Sequence, residues 1–83
     1  VPLIKSVSHL PIIVDPSHGT GVRALVAPMS KAAAACGADG VIVEVHQDPE
    51  AALSDGEQSL TPDQFDELVK ALKPILRAEG KTL

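Results

Sequence analysis

The chain has 83 residues, 45% of them apolar, and seven basic against eleven acidic side chains give it a formal charge of −4. One small domain of this size is marginal as a self-sufficient core, and with Phe65 as its only aromatic residue that core must be built from Val, Ile, Leu and Ala. The acidic balance and missing stacking aromatics exclude a nucleic-acid binder, and no apolar run reaches the roughly 20 residues of a membrane span.

Nothing at the N-terminus reads as a signal peptide. The single cysteine, Cys36, rules out an internal disulfide and suits a reducing cytoplasm. In chain order, "VPLIKS" reads as the last turn or two of a helix. "LPIIVD", Leu10 to Asp15, has the β-branched enrichment of a strand buried on both faces, with Pro11 tolerable near its start. The stretch "VDPSHGTG" then delivers Ser17 and His18 into a glycine-flanked loop. "ALVAPMSKAAAACG" is an Ala-rich helix with Pro28 in its first turn and Gly37 as its stop. Cys36 is expected to be a small buried residue beside that helix end.

"GVIVEVH", Gly40 to His46, is a second buried strand. Side chains alternate along it, so Gly40, Ile42, Glu44 and His46 share one face while Val41, Val43 and Val45 turn toward a helix layer. A loop, "QDPEAALSDGEQSL", follows. The last helix is signposted by Thr61 as cap, Pro62 at the first helical position and Gln64 completing a capping box. Leu60 and Phe65 hold the positions of a hydrophobic staple, and Phe65, Leu68, Val69, Leu72, Ile75 and Leu76 form one apolar stripe. Pro74 is expected to kink or shorten this helix. The order is βαβα with parallel strands and a right-handed crossover. Two such strands leave open edges, so the chain reads as a slice of a larger α/β barrel or sheet.

In α/β folds the chemistry gathers beyond the C-terminal ends of the strands. Three candidate ligands fall there: His18, Glu44 and Asp55. An unpaired Glu44 on a buried strand face is costly, and one divalent cation would satisfy it together with His18 and Asp55. One histidine with two carboxylates suits Mn, Fe, Co or Zn. Each residue alone has a plainer reading: His18 as a hydrogen-bonded turn histidine, Glu44 as half of a buried salt bridge, Asp55 as part of an ordinary Ser-Asp-Gly turn. "HGTG" offers backbone amides that could hold a phosphate, with Arg23 assisting. Ser17 beside His18 is a nucleophile pair only superficially, since no activating acid is evident. Asp15 orients the loop or accepts from a lysine. His46 shares the Glu44 face and could support it, and His9 reads as a surface residue.

Taken in order, "VDPSHGTG", "GVIVEVH" and "ALSDGEQSL" resemble the C-terminal quarter of 3-deoxy-D-arabino-heptulosonate 7-phosphate (DAHP) synthases of type I beta, over essentially the whole chain. The resemblance implies a TIM (βα)8 barrel, with residues 1–83 as a C-terminal fragment of its one catalytic domain, carrying strands and helices seven and eight. It implies condensation of phosphoenolpyruvate with erythrose 4-phosphate, releasing phosphate, at the entry to the shikimate pathway and aromatic amino acids. It implies a divalent metal held by His18, Glu44, Asp55 and a cysteine of the first barrel strand, which Cys36 does not replace. His18 and Asp55 carry the catalytic roles, Asp55 also handling a proton. A Lys-Pro-Arg-Thr segment that grips substrate phosphate in the family is not in this chain, and "VRA" at 22–24 departs from the "RRD"-like run of relatives. The fragment alone is therefore expected to be inactive, with the rest of the barrel or further copies of itself, as a homo-oligomer, for partners. The rival readings are a 3-deoxy-octulosonate 8-phosphate synthase-like enzyme and a non-catalytic, self-associating βαβα module.

Overall fold

A computed structural model describes residues 1–48 and 59–83. Helix α1 spans Pro2–Val7, strand β1 Ile13–Val14, helix α2 Pro16–Thr20 and helix α3 Arg23–Ala35; strand β2 is Gly40–Val41 and helix α4 Pro62–Ala78. The strands pair in parallel, Ile13 opposite Gly40 and Val14 opposite Val41.

Both strands are shorter than their apolar runs. A strand exists only where it has a partner, and β1 ends when Asp15 turns the backbone out of the sheet to start α2. The glycine-flanked stretch is thus a short helix and not an open loop. Asp15 caps it, Pro16 fills the first position, where no amide is needed, and Gly21 ends it at φ +65°.

Helix α3 starts at Arg23, which puts Pro28 in its second turn and not its first. The helix tolerates a missing amide there, and the alanine run beyond it continues to Ala35. At its end Gly37 takes φ +100°. Gly37 N–H donates to the Ala34 carbonyl and Ala38 N–H to that of Ala33, a Schellman closure with Ala33 and Ala38 both buried. Cys36 caps this end but is exposed, contrary to the burial expected of it.

Helix α4 has the capping box read from its sequence. Gln64 N–H donates to Thr61 Oγ1 at 3.2 Å, and Thr61 N–H donates to Gln64 Oε1 at 2.9 Å. Pro74 does not shorten it, for the helix runs on to Ala78. It closes as α3 does, through Gly80 at φ +74°. Lys81 Nζ then donates to the Gly37 and Ala38 carbonyls at 3.1 and 3.0 Å, tying the two helix ends together.

The core is aliphatic, as the composition requires: Val26, Ala34, Leu60, Leu68 and Leu72, with Ala27, Val43, Ile75 and Leu76 packed against it. Phe65, in staple position, is 41% exposed while Leu60 is buried. A groove of about 440 Å³ between β2 and α4 is lined by Val41, Val43, Leu68, Leu72 and Leu76. On the opposite face a Cβ at Gly40 would meet Ile13 Cδ1 at 3.0 Å, so Ile13 and Gly40 lie together there. Val41 and Val43 thus face α4 as the alternation read from "GVIVEVH" expects, whereas Val45 beyond them is 42% exposed. No helix among the described residues is long and apolar enough to cross a membrane.

The end of the sheet away from His18 is held by Asp39. Its Oδ2 accepts from Lys5 Nζ and from Ile12 N–H, both at 2.8 Å. The Lys5 hydrogen bond, then the Ile12 amide, hold this carboxyl below the usual carboxylate range. A depressed carboxylate stabilises the fold at every pH above its unfolded value of about 3.9, and the contribution is lost as pH falls through the lower folded value. Exchange of the Ile12 amide, followed by NMR, should be slow at pH 5 and become fast below the ordinary carboxylate range. In urea titrations Leu72→Ala should lower the unfolding free energy by about 2–4 kcal/mol, because the helix–helix seam cannot collapse onto the cavity.

Candidate metal centre

His18 lies in the first turn of α2, and one carboxylate sets both its backbone and its ring. Asp15 Oδ1 accepts from the His18 amide at 3.0 Å, which is the helix cap. Asp15 Oδ2 lies 2.8 Å from His18 Nδ1. A carboxylate there accepts, so in the neutral ring the proton sits on Nδ1 and Nε2 is the basic nitrogen. The His18 amide, and after it the imidazole, hold the Asp15 carboxyl below the usual range. Asp15 is therefore anionic throughout the pH range in which His18 is neutral.

Glu44 is positioned by hydrogen bonds to its peptide groups. Three alternate amides along β2 and its extension meet three different acceptors. Ile42 N–H donates to the Val14 carbonyl at 2.9 Å, the last bond of the ladder. Beyond it β1 has already turned away, and Glu44 N–H donates instead to Ser17 Oγ at 3.0 Å. His46 N–H donates to the Leu60 carbonyl, and Leu60 N–H to the Glu44 carbonyl, both at 2.9 Å; this is a parallel bridge between Val45 and Leu60. Ser17 is wholly buried. It is a structural link and not a nucleophile.

These contacts bring His18 Nε2 to 4.0 Å from Glu44 Oε1. Two donors that each approach one tetrahedral ion at about 2.0–2.2 Å stand roughly 3.5 Å apart, so a small side-chain rotation brings this pair onto a shared cation. The donor chemistry fits too: Asp15 fixes the tautomer that a carboxylate–histidine–metal arrangement needs. Among the described residues no lysine or arginine reaches Glu44 within salt-bridge distance, and no group of three His, Cys, Asp or Glu side chains could hold a metal. Asp55, the third candidate ligand, lies outside the described residues.

The remaining candidates fall elsewhere. Gly19 and Gly21 amides donate to the Asp15 and Ser17 carbonyls within α2, so the "HGTG" amides are already used. Arg23 Nε donates to the Ser59 carbonyl at 2.7 Å. His46 Nδ1 accepts from Asp48 N–H, and His9 is exposed. Cys36 sits at the far end of α3, where the chain turns back toward the start of β2. Sequence reasoning has Asp15 orienting the loop, as its cap on the His18 amide does, but missed its contact with the imidazole and the role of Ser17. The cap signal Asp-Pro could have found the first; nothing local marks Ser17, whose partner is 27 positions away.

Residues 1–78 match the DAHP synthetase I family. The chain is 59% identical over 80 residues to a phospho-2-dehydro-3-deoxyheptonate aldolase of Thermotoga maritima, covering 96% of the chain and 24% of that protein. It is 36% identical over 89 residues to a 2-dehydro-3-deoxyphosphooctonate aldolase of Desulfotalea psychrophila, covering 94% of the chain and 31% of that protein. A truncated form of the 3-deoxy-D-arabino-heptulosonate 7-phosphate synthase from Thermotoga maritima superposes with a TM-score of 0.96 at 57% identity, over 99% of the chain and 31% of that structure. The chain thus spans about a quarter to a third of the length of these relatives.

Ser17→Ala should leave the part-buried Glu44 amide without its acceptor, at a cost of about 1 kcal/mol in urea titrations. Exchange of the Glu44 amide should quicken with it, while that of the Phe65 amide in α4 stays slow.

Proposed function

The chain belongs to the DAHP synthetase I family, and from that premise we propose that it forms strands seven and eight, with their helices, of a (βα)8 barrel. Residues 1–83 are then the C-terminal part of one catalytic domain. That domain condenses phosphoenolpyruvate with erythrose 4-phosphate to give DAHP and phosphate, in the cytoplasm, at the entry to aromatic amino acid biosynthesis. The observation that carries the reading is the approach of His18 Nε2 to Glu44 at 4.0 Å, with Asp15 fixing the ring.

His18, Glu44 and Asp55 are the ligands this chain contributes to a divalent ion such as Mn, Fe, Co or Zn. When bound, the ion would supply Lewis-acid polarisation of the erythrose 4-phosphate aldehyde, whose carbonyl carbon the enol carbon of phosphoenolpyruvate attacks. His18 must be neutral to ligate, so binding weakens in acid. Asp15 keeps Nε2 directed at the site, and Ser17 holds the Glu44 backbone. Asp55 moves a proton as well as ligating.

The heptulosonate product, formed from erythrose 4-phosphate, is favoured over the octulosonate one by the higher identity to the heptonate aldolase, 59% against 36%. The rest of the barrel is the natural cover for the sheet face that carries Glu44, where Ile13 and Ile42 are each 53% exposed. Assembly of full barrels into a homo-oligomer is part of the same reading. The chain by itself lacks the remaining ligand and the phosphate-gripping segment, and is inactive alone.

Mixing the chain with the complementary N-terminal portion of a DAHP synthase should restore phosphate release from phosphoenolpyruvate. Restoration should require divalent metal and prefer erythrose 4-phosphate to arabinose 5-phosphate. His18→Ala and Glu44→Gln should each reduce it by more than the roughly 10–100-fold that changes outside the ligand sphere cost. Restored activity that survives chelation and both substitutions would refute the reading.

A further inference from the structure

The grip on Glu44 has two sides, and its carbonyl side rests on Leu60. Among the described residues that bridge is an isolated one, Val45 opposite Leu60. Two anchors hold Leu60. Its side chain is buried in the core with Val26, Leu68 and Leu72. On its N-terminal side the Ser59 carbonyl accepts from Arg23 Nε at 2.7 Å, across 36 positions of sequence, and Ser59 is only 3% exposed.

We propose that Arg23 is a positioning residue for Glu44, acting through the Ser59–Leu60 backbone. The inference rests on the metal-site reading above. Arg23 is the first residue of α3, a 13-residue helix, so its guanidinium is anchored to a rigid element. The guanidinium is planar and always charged, and its Nε–H has one direction, which suits it to fixing a carbonyl in place. Ser17 holds the Glu44 amide from α2, and Arg23 holds the Glu44 carbonyl from α3, one residue removed. Both helices therefore bear on the peptide of a single ligand. The basic side chain at this position works inward on the backbone, a different task from the anion contact its sequence context offers.

The test titrates Mn2+ into the chain and its variants, each joined with the complementary N-terminal portion of a DAHP synthase, with binding followed by electron paramagnetic resonance, and reads amide exchange in parallel. In Arg23→Met, Mn2+ should bind about 10-fold more weakly, the lower end of what supporting residues contribute. The Leu60 and His46 amides should exchange faster, while the Ile42 and Phe65 amides keep wild-type protection. Arg23→Lys keeps a charge and a donor without the planar geometry, and should fall between wild type and Arg23→Met; it is the variant read if Arg23→Met loses its helices. Glu44→Gln should abolish binding. If Glu44→Gln abolishes binding but a folded Arg23 variant binds as wild type does, with Leu60 exchange unchanged, the role of Arg23 is overturned and the metal site stands. If wild type itself binds no Mn2+, the metal-site reading falls and the role of Arg23 falls with it.

Discussion

The first strand stops before the second chain segment beside it has finished, and the rest of the site follows from that stagger. β1 ends at Val14, yet the segment from Gly40 to His46 stays extended beyond it and still presents amides that need acceptors. Ser17 fills the first gap and Leu60 the second. Because Ser17 adjoins His18 in the same short helix, satisfying the Glu44 amide also brings the imidazole beside the Glu44 carboxylate. A ladder that ran on in register would have left no room for α2. The hydrogen-bond requirement of the Glu44 amide and the placement of two candidate ligands are the same event.

The two ends of the sheet are held by different means. At the end away from His18, Asp39 joins Lys5 to the Ile12 amide, and Lys81 bridges the close of α4 to the close of α3. These contacts anchor chain ends and turns, and they involve none of the candidate ligands. At the other end, Asp15, Ser17 and Leu60 each act directly on His18 or Glu44. Stability is thus served at one rim and geometry for chemistry at the other, the division expected of α/β barrels.

Local signals were legible wherever the physics is local. The Thr61–Gln64 box and the stop at Gly37 depend on near neighbours, and both are present; the alternation read after Gly40 is seen at Val41 and Val43. Strand length was not legible, because pairing belongs to two segments and β1 turns away early. Pro28 and Pro74 lie inside their helices, where packing of the apolar faces outweighs one lost hydrogen bond apiece. Cys36 faces solvent because it follows the last helical residue, on the side away from the core. The functions of Asp15, Ser17 and Arg23 were hidden to different degrees: Asp15 acts three positions away, whereas Ser17 and Arg23 act 27 and 36 positions away. For Asp55, the motif "SDG" identifies a candidate but its place lies outside the described residues.

The central claim is that one imidazole nitrogen and one carboxylate, set by Asp15 and Ser17, close on the same cation. Anomalous diffraction from crystals of the chain grown with Mn2+ measures this directly. The account predicts one strong peak at bonding distance, about 2.0–2.3 Å, from both His18 Nε2 and a Glu44 carboxylate oxygen, with Asp15 still on Nδ1. A peak bound through Nδ1, or a metal held by other residues with the His18–Glu44 pair left apart, would contradict it.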